Sequence, residues 1–172
     1  MVLYTFDDFV YLSLTGEFEH GLRVARFTQA DSRFLGGEVQ FNVALHPNLW
    51  LESGLDLVDA ELADTGDPLP RIPPLRGKLG FDARWRGFSF RPEIVMASDQ
   101  DEIYPTETRT PGYAVFNMTA SYTLARSNLM HVFSAGLFNV GNTLYRNHLS
   151  FIKDLAPEIG RGARFTYTLR FF

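Results

Sequence analysis

The sequence predicts an all-β chain of about eight antiparallel strands in an up-and-down meander, of the transmembrane β-barrel type. Three observations predict it. Apolar and polar residues alternate along most of the chain; that period of two fits strands and no helix. The connections alternate between short turns and long loops, the habit of outer-membrane barrels. Finally, 45% hydrophobic residues coexist with a mean hydropathy of −0.09. That near-zero mean suits strands with one lipid face and one polar face, and no run approaches the ~18 apolar residues of a membrane helix.

The first strand, about Val2 to Leu12, has poor parity because Asp7 and Asp8 are adjacent. Next, Val39, Phe41, Val43 and Leu45 oppose Glu38, Gln40 and Asn42. Gly36-Gly37 just before them predicts a bulge or a close approach. Leu49, Leu51, Leu55 and Leu57 then oppose Glu52, Gly54 and Asp56. The clearest stretch follows, with Leu75, Gly77, Leu79, Phe81, Ala83 and Trp85 on one parity and Arg76, Lys78, Gly80, Asp82, Arg84 and Arg86 on the other. Trp85-Arg86-Gly87-Phe88 joins it tightly to Phe88, Phe90, Pro92, Ile94 and Met96 against Ser89, Arg91, Glu93 and Val95, which predicts a hairpin. Pro92 has no N–H for a central ladder, so an irregularity is expected there. Three further alternating runs start near Val115, Val132 and Ala163.

Short turns are expected near His46-Pro47-Asn48, Arg86-Gly87 and Ala125-Arg126-Ser127-Asn128, and long loops at Ser13–Leu22, Ala63–Pro74, Ser98–Pro111 and Gly141–Gly160. Energy decides which face meets lipid. Turning Arg76, Lys78, Arg84 or Arg86 outward would cost up to about 2–4 kcal/mol for each one near the midplane. The charged set, with Asp82, Arg91 and Glu93, therefore faces the lumen. Leu79, Phe81 and Trp85 face the bilayer and its lipopolysaccharide. Trp85, Phe88, Tyr122 and Phe171 share the lipid parity near the short-turn end and predict part of an interfacial aromatic girdle.

Other classes fall away. The net charge is −4, and no Lys/Arg stripe offers a nucleic-acid surface. There is no cysteine, hence no disulfide scaffold, thiolate metal site or Cys nucleophile. No phosphate loop, dinucleotide fingerprint, zinc-protease helix or nucleophile elbow is present. His148, Ser150 and Asp154 lie close in sequence, but nothing supplies an oxyanion hole. No enzyme activity and no cofactor are predicted. The residues Met1–Asp7 carry no basic segment and no cleavage site, so no signal peptide is expected within this chain.

Contact chemistry is expected instead in the outer loops. Ser98–Pro111 holds Asp99, Asp101, Glu102 and Glu107 against Arg109, a rim that attracts cations. His20 with Glu17 and Glu19, and His148 with Asp154 and Glu158, offer nitrogen and oxygen ligands to a borderline metal such as zinc. Solvated loops facing the medium explain the same residues. His46 and His131 fall at the short-turn end and read as structural. Leu149, Phe151, Ile152 and Leu155 are spaced for a short amphipathic turn at the barrel mouth.

Some segments resemble a known family. Gly136-Leu137-Phe138-Asn139-Val140-Gly141-Asn142-Thr143-Leu144-Tyr145-Arg146-Asn147-His148 is similar to the penultimate strand and last outer loop of TonB-dependent outer-membrane receptors. Ala156-Pro157-Glu158-Ile159-Gly160-Arg161 and the alternating strand after it resemble their C-terminal signature, and Asp31–Glu38 resembles their strand bearing a Gly-x-Glu element. Asn147–Asp154 faintly resembles zinc- or iron-related members. One departure is Phe172, which falls on the Arg170 parity while the lipid series ends at Phe171.

The resemblance implies that residues 1–172 are a single segment, the C-terminal part of a larger barrel of about 22 strands. The plug domain and the N-terminal strands would precede it. It implies TonB-dependent uptake of a scarce nutrient, a metal or metal chelate (siderophore-iron or zinc), in the outer membrane of a Gram-negative bacterium. The TonB-ExbB-ExbD machinery would engage the missing N-terminal region. The alternative is a self-contained eight-stranded barrel with a structural or adhesive role, since eight is the smallest closed bacterial barrel.

Overall fold

The computed structural model describes all residues, Met1–Phe172. Eight strands form one sheet in sequence order: β1 (Val2–Glu19), β2 (Leu22–His46), β3 (Leu49–Leu62), β4 (Arg76–Trp85), β5 (Phe88–Ala97), β6 (Tyr113–Arg126), β7 (Leu129–Phe138) and β8 (Gly162–Phe171). All seven ladders are antiparallel. No ladder joins β1 to β8, so the sheet is open. It is a wall with two edges rather than a closed eight-stranded barrel.

The pairing keeps the predicted parity across the wall. On one face, Phe81 lies opposite Leu51, Ile94 opposite Leu79 and Phe116, and Leu137 opposite Met118. On the other, Asp82 lies opposite Trp50 and Glu93 opposite Gly80 and Asn117. Phe88, Tyr122, Phe133 and Tyr167 stand in one row across β5 to β8, with Trp85 opposite Phe88. This row is the aromatic girdle. Phe171, opposite Leu129, lies beyond it, while Phe133 and Tyr167 complete it with ring centroids 5.1 Å apart.

Only 15 of 172 residues are buried, six of them hydrophobic. A soluble sheet would hide its apolar face; here Val39, Phe41, Leu55, Leu79, Phe81, Ile94 and Leu137 stay exposed. So continuous an apolar band exceeds the patches soluble monomers tolerate and matches a lipid face. The ten-residue strands β4, β5, β7 and β8 reach about 33 Å, enough for a tilted crossing.

The tight turns form as expected. Trp85 pairs with Phe88 and Arg126 with Leu129. Arg86 and Gly87 both take positive φ, 47° and 83°, as a primed two-residue hairpin turn requires. A Cβ on Gly87 would lie 2.6 Å from the Thr123 carbonyl oxygen. Gly87→Ala is therefore expected to destabilise the β4–β5 hairpin by about 1–3 kcal/mol, read as a lowered midpoint in urea unfolding from lipid. At Pro92 the β4–β5 ladder skips two pairs, from Gly80–Glu93 to Ala83–Phe90, and resumes in the same register.

One expectation is corrected: the expected loop Ser13–Leu22 is strand. β1 continues to Glu19 and turns through His20 and Gly21, with φ of 51° and 80°, directly into β2. Residues 22–31 of β2 pair only with β1, because β3 ends opposite Ser32. This hairpin extends roughly 30 Å past the other strands. At Gly36-Gly37, where the sequence offers a bulge or a close approach, the register is unbroken and Gly36 is a close approach, where a Cβ would lie 3.2 Å from the Leu57 oxygen. The register shifts lie in β1, between Phe6 and Phe9 and between Leu14 and Phe18. At the first, Asp8 takes φ 54° and its amide donates to Asp31 Oδ1 at 2.9 Å. That bulge explains the broken parity at Asp7-Asp8.

Candidate functional site

The concave wall carries the predicted lumen charges. Arg76, Lys78, Asp82 and Arg84 come from β4 and Arg91 and Glu93 from β5. Asp82 is the centre of one cluster, its side chain 2% exposed. Its Oδ2 accepts from Arg84 at 2.5 Å and Arg91 at 2.7 Å, and the Arg84 guanidinium stacks over Trp50 at 5.1 Å. Two half-exposed guanidiniums thus neutralise one buried carboxylate, as a desolvated charge requires. Nearer the loops, Arg76 pairs with Asp56 at 2.5 Å and Lys78 with Glu93 at 3.8 Å.

A second cluster ties three outer loops together: residues 63–75, 98–112 and 139–161. Glu107 sits at its centre. The Arg71 amide donates to Glu107 Oε2 at 3.0 Å, His148 Nε2 lies 3.7 Å from that oxygen, and Lys153 Nζ lies 3.5 Å from Oε1. Lys153 Nζ also donates to the Thr108 carbonyl at 2.9 Å and lies 3.2 Å from His148 Nδ1, which shares a 2.8 Å hydrogen bond with Thr110 Oγ1. His148, Lys153 and Thr110 are all buried. Burial alone would push the Glu107 carboxyl up, but the bonds from His148 and the Arg71 amide and the Lys153 charge outweigh it, so it sits below the ordinary glutamate range. Burial pulls Lys153 below the ordinary lysine value despite Glu107.

Because Glu107 is depressed in the folded loops, its contribution is fully present above the ordinary glutamate range. It is lost as pH falls through the depressed value. Loop cleavage by an acid-active protease is therefore expected to accelerate from that range downward, and Glu107→Gln should be cleaved faster already at neutral pH, with its pH dependence flattened. A variant as resistant as the parent at pH 7 would contradict this role.

The structure distributes the predicted outer-loop residues. His148 faces Glu107 and Lys153, while Asp154 turns to Thr108 Oγ1 at 2.5 Å. His20 and Glu19 stand 4.0 Å apart at the exposed hairpin tip, and Glu17 pairs with Arg26 at 3.8 Å. Asp99 accepts the Gly112 amide at 2.7 Å, Asp101 pairs with Arg109 at 3.8 Å, and Gln100 caps the Glu102 carbonyl at 2.9 Å. No three His, Asp or Glu side chains converge as a metal-holding set. In the 139–161 loop Phe151, Ile152 and Leu155 stay exposed, with Arg71 stacked on Phe151 at 3.8 Å, and the side chain turned inward is Lys153.

Sequence reasoning passed over Lys153, Thr110 and the Arg71 amide. The one signal was Lys153 as a lone cation between His148 and Asp154. A further group escaped it: Phe6, Phe9 and Phe34 meet edge-on or tilted at 5.1–5.9 Å, next to the small core of Tyr11, Ala60, Leu62 and Leu69. That core holds the 63–75 loop against the inner face, with Leu69 donating to the Ala60 carbonyl at 2.8 Å.

Comparison with known proteins follows this geometry. No curated protein shows significant sequence similarity to the chain. Among solved structures, the copper transporter OprC superposes with a TM-score of 0.83 at 22% identity, over 98% of this chain and 28% of that one. BauA, the ferric preacinetobactin receptor from Acinetobacter baumannii, superposes with a TM-score of 0.67 at 19% identity, over 97% of this chain and 26% of that one. The chain thus spans about a quarter of the length of these receptors, and its fold is that of part of their barrels. The model of the TonB dependent receptor-like β-barrel matches residues 3–140. The eight-stranded open wall is therefore a portion of a larger barrel, and the chain belongs to the TonB-dependent receptor β-barrel family, a family of receptors and not of enzymes.

Proposed function

We propose that this chain is the C-terminal barrel portion of an outer-membrane receptor that takes up a metal or metal chelate, siderophore-iron or zinc, by a TonB-dependent route. The observation that carries the reading is the open sheet itself. A wall with a bare apolar face, an ion-paired concave face and two unpaired edges is stable in lipid only inside a larger closed barrel. In this reading further strands complete the barrel, a plug domain fills it, and TonB-ExbB-ExbD act on the region N-terminal to this chain. The protein resides in the outer membrane of a Gram-negative bacterium, with the three tied loops facing the medium.

Uptake of labelled iron and zinc complexes tests this in a strain deleted for the full-length gene. The expected result is loss of uptake of one complex, restored by the intact gene only when TonB is present. Restoration without TonB, or unchanged uptake of every complex, would overturn the reading.

A further inference from the structure

The concave wall divides into two panels of opposite sign. Toward the loops, Glu38, Glu52 and Asp56 share a hollow with Arg76 and Lys78, and Glu93 borders it. Toward the short turns, Arg84, Arg91 and Arg164 line a second hollow of about 470 Å³ with the hydroxyls of Thr119, Ser121 and Ser134. Here the one neighbouring carboxylate, Asp82, pairs with Arg84 and Arg91 and leaves Arg164 without it. The register puts Arg91, Thr119, Gly136 and Arg164 in one row across β5 to β8. The middle of that row is low, because Thr119 and Gly136 are small. A Cβ on Gly136 would lie 3.0 Å from the Phe138 ring, over which the Arg164 guanidinium stacks at 5.4 Å.

The two arginine groups are held apart. Asp82 fixes Arg84 and Arg91, and Phe138 fixes Arg164. Their strands, β5 and β8, are three steps apart, about 14 Å. A polypeptide with two spaced carboxylates matches that backbone spacing. A partner of mixed charge also suits the acidic panel alongside. We propose that this basic hollow receives an acidic segment of the domain that fills the barrel, with one carboxylate between Arg84 and Arg91 and another at Arg164. The inference rests on the receptor reading above, and it adds the polarity and position of the contact.

Photo-crosslinking in the full-length receptor in outer membranes tests it. A benzophenone amino acid replaces Ser134 on the floor of the hollow, and crosslinked peptides are identified by mass spectrometry. The expected product joins Ser134 to a plug segment containing at least two Asp or Glu. Its yield should fall at least tenfold in Arg164→Gln, a position outside the Asp82 ion pairs, with heat-modifiable mobility checking that the barrel has formed. A crosslink to a plug segment without carboxylates, or a yield indifferent to Arg164→Gln, would overturn this inference alone. A full-length protein with no plug, or with an open conducting lumen, would overturn the receptor reading as well.

Discussion

Replacing Arg84 and Arg91 together by alanine is expected to destabilise the barrel by about 3–5 kcal/mol, far more than the sum of the single replacements. The reason is the burial of Asp82, whose side chain is 2% exposed and accepts from both guanidiniums. Either arginine alone keeps the carboxylate paired, so each single variant should lose only a small fraction of that, because the guanidinium removed is half-exposed and screened by solvent. Removing both strands an uncompensated charge in the wall. Asp82→Asn in the double-alanine background should restore much of the loss. Urea unfolding of the full-length protein from lipid, run as a double-mutant cycle, reads the coupling. Additive single effects would show that Asp82 is not the shared partner.

The second large effect lies on the opposite face. Phe81 sits mid-strand in β4, exposed, between Leu51 of β3 and the skipped position at Pro92. Phe81→Arg should cost about 2–4 kcal/mol if that position lies near the bilayer midplane. Gly80→Arg tests less cleanly, because a Cβ there already meets the Pro92 oxygen at 3.0 Å. A better control is Asn42→Arg on the charged face of β2, exposed, opposite Glu52 and lining the acidic hollow. The expected contrast is strong loss for the β4 variant and little for the β2 variant in the same assay. Equal losses would mean that both faces are packed against protein.

Much of this architecture was legible in sequence, for a physical reason. Where one face meets lipid and the other water, every residue reports its side, and the alternation from Leu75 to Arg86 reads directly as β4. The same logic assigned Asp82, Arg84 and Arg91 to the lumen, although periodicity could not show that Asp82 is shared by two arginines. That depends on the register that brings Arg91 of β5 opposite Asp82. The extended β1–β2 hairpin was misread as ending at Leu12 because its outer half stands beyond the bilayer, where no lipid imposes alternation. The two register shifts in β1 then erased what parity remained. The loop cluster was partly visible. His148 stood out as a ligand-type residue and Glu107 as one of the rim charges, but their partnership depends on loop residues 41 apart in sequence packing together through Lys153, which joins them. The TonB-family resemblance rested on the Gly136–His148 element, the final strand with the segment before it, and Asp31–Glu38, and the family match over residues 3–140 reaches the same family.

The most direct test of the two-faced wall uses the absence of cysteine from the chain. Single cysteines placed along β4, from Lys78 to Trp85, in the full-length protein in outer membranes can each carry a nitroxide spin label. Collision with oxygen, which concentrates in lipid, and with a water-soluble nickel complex then reports the surroundings of every position. The predicted result is a period of two: oxygen exposure at Leu79, Phe81 and Ala83, and lower oxygen exposure at Lys78, Gly80 and Asp82. Uniform access to the nickel complex along the strand, or oxygen exposure on the Lys78–Asp82 parity, would contradict the assignment of this chain to a membrane barrel wall.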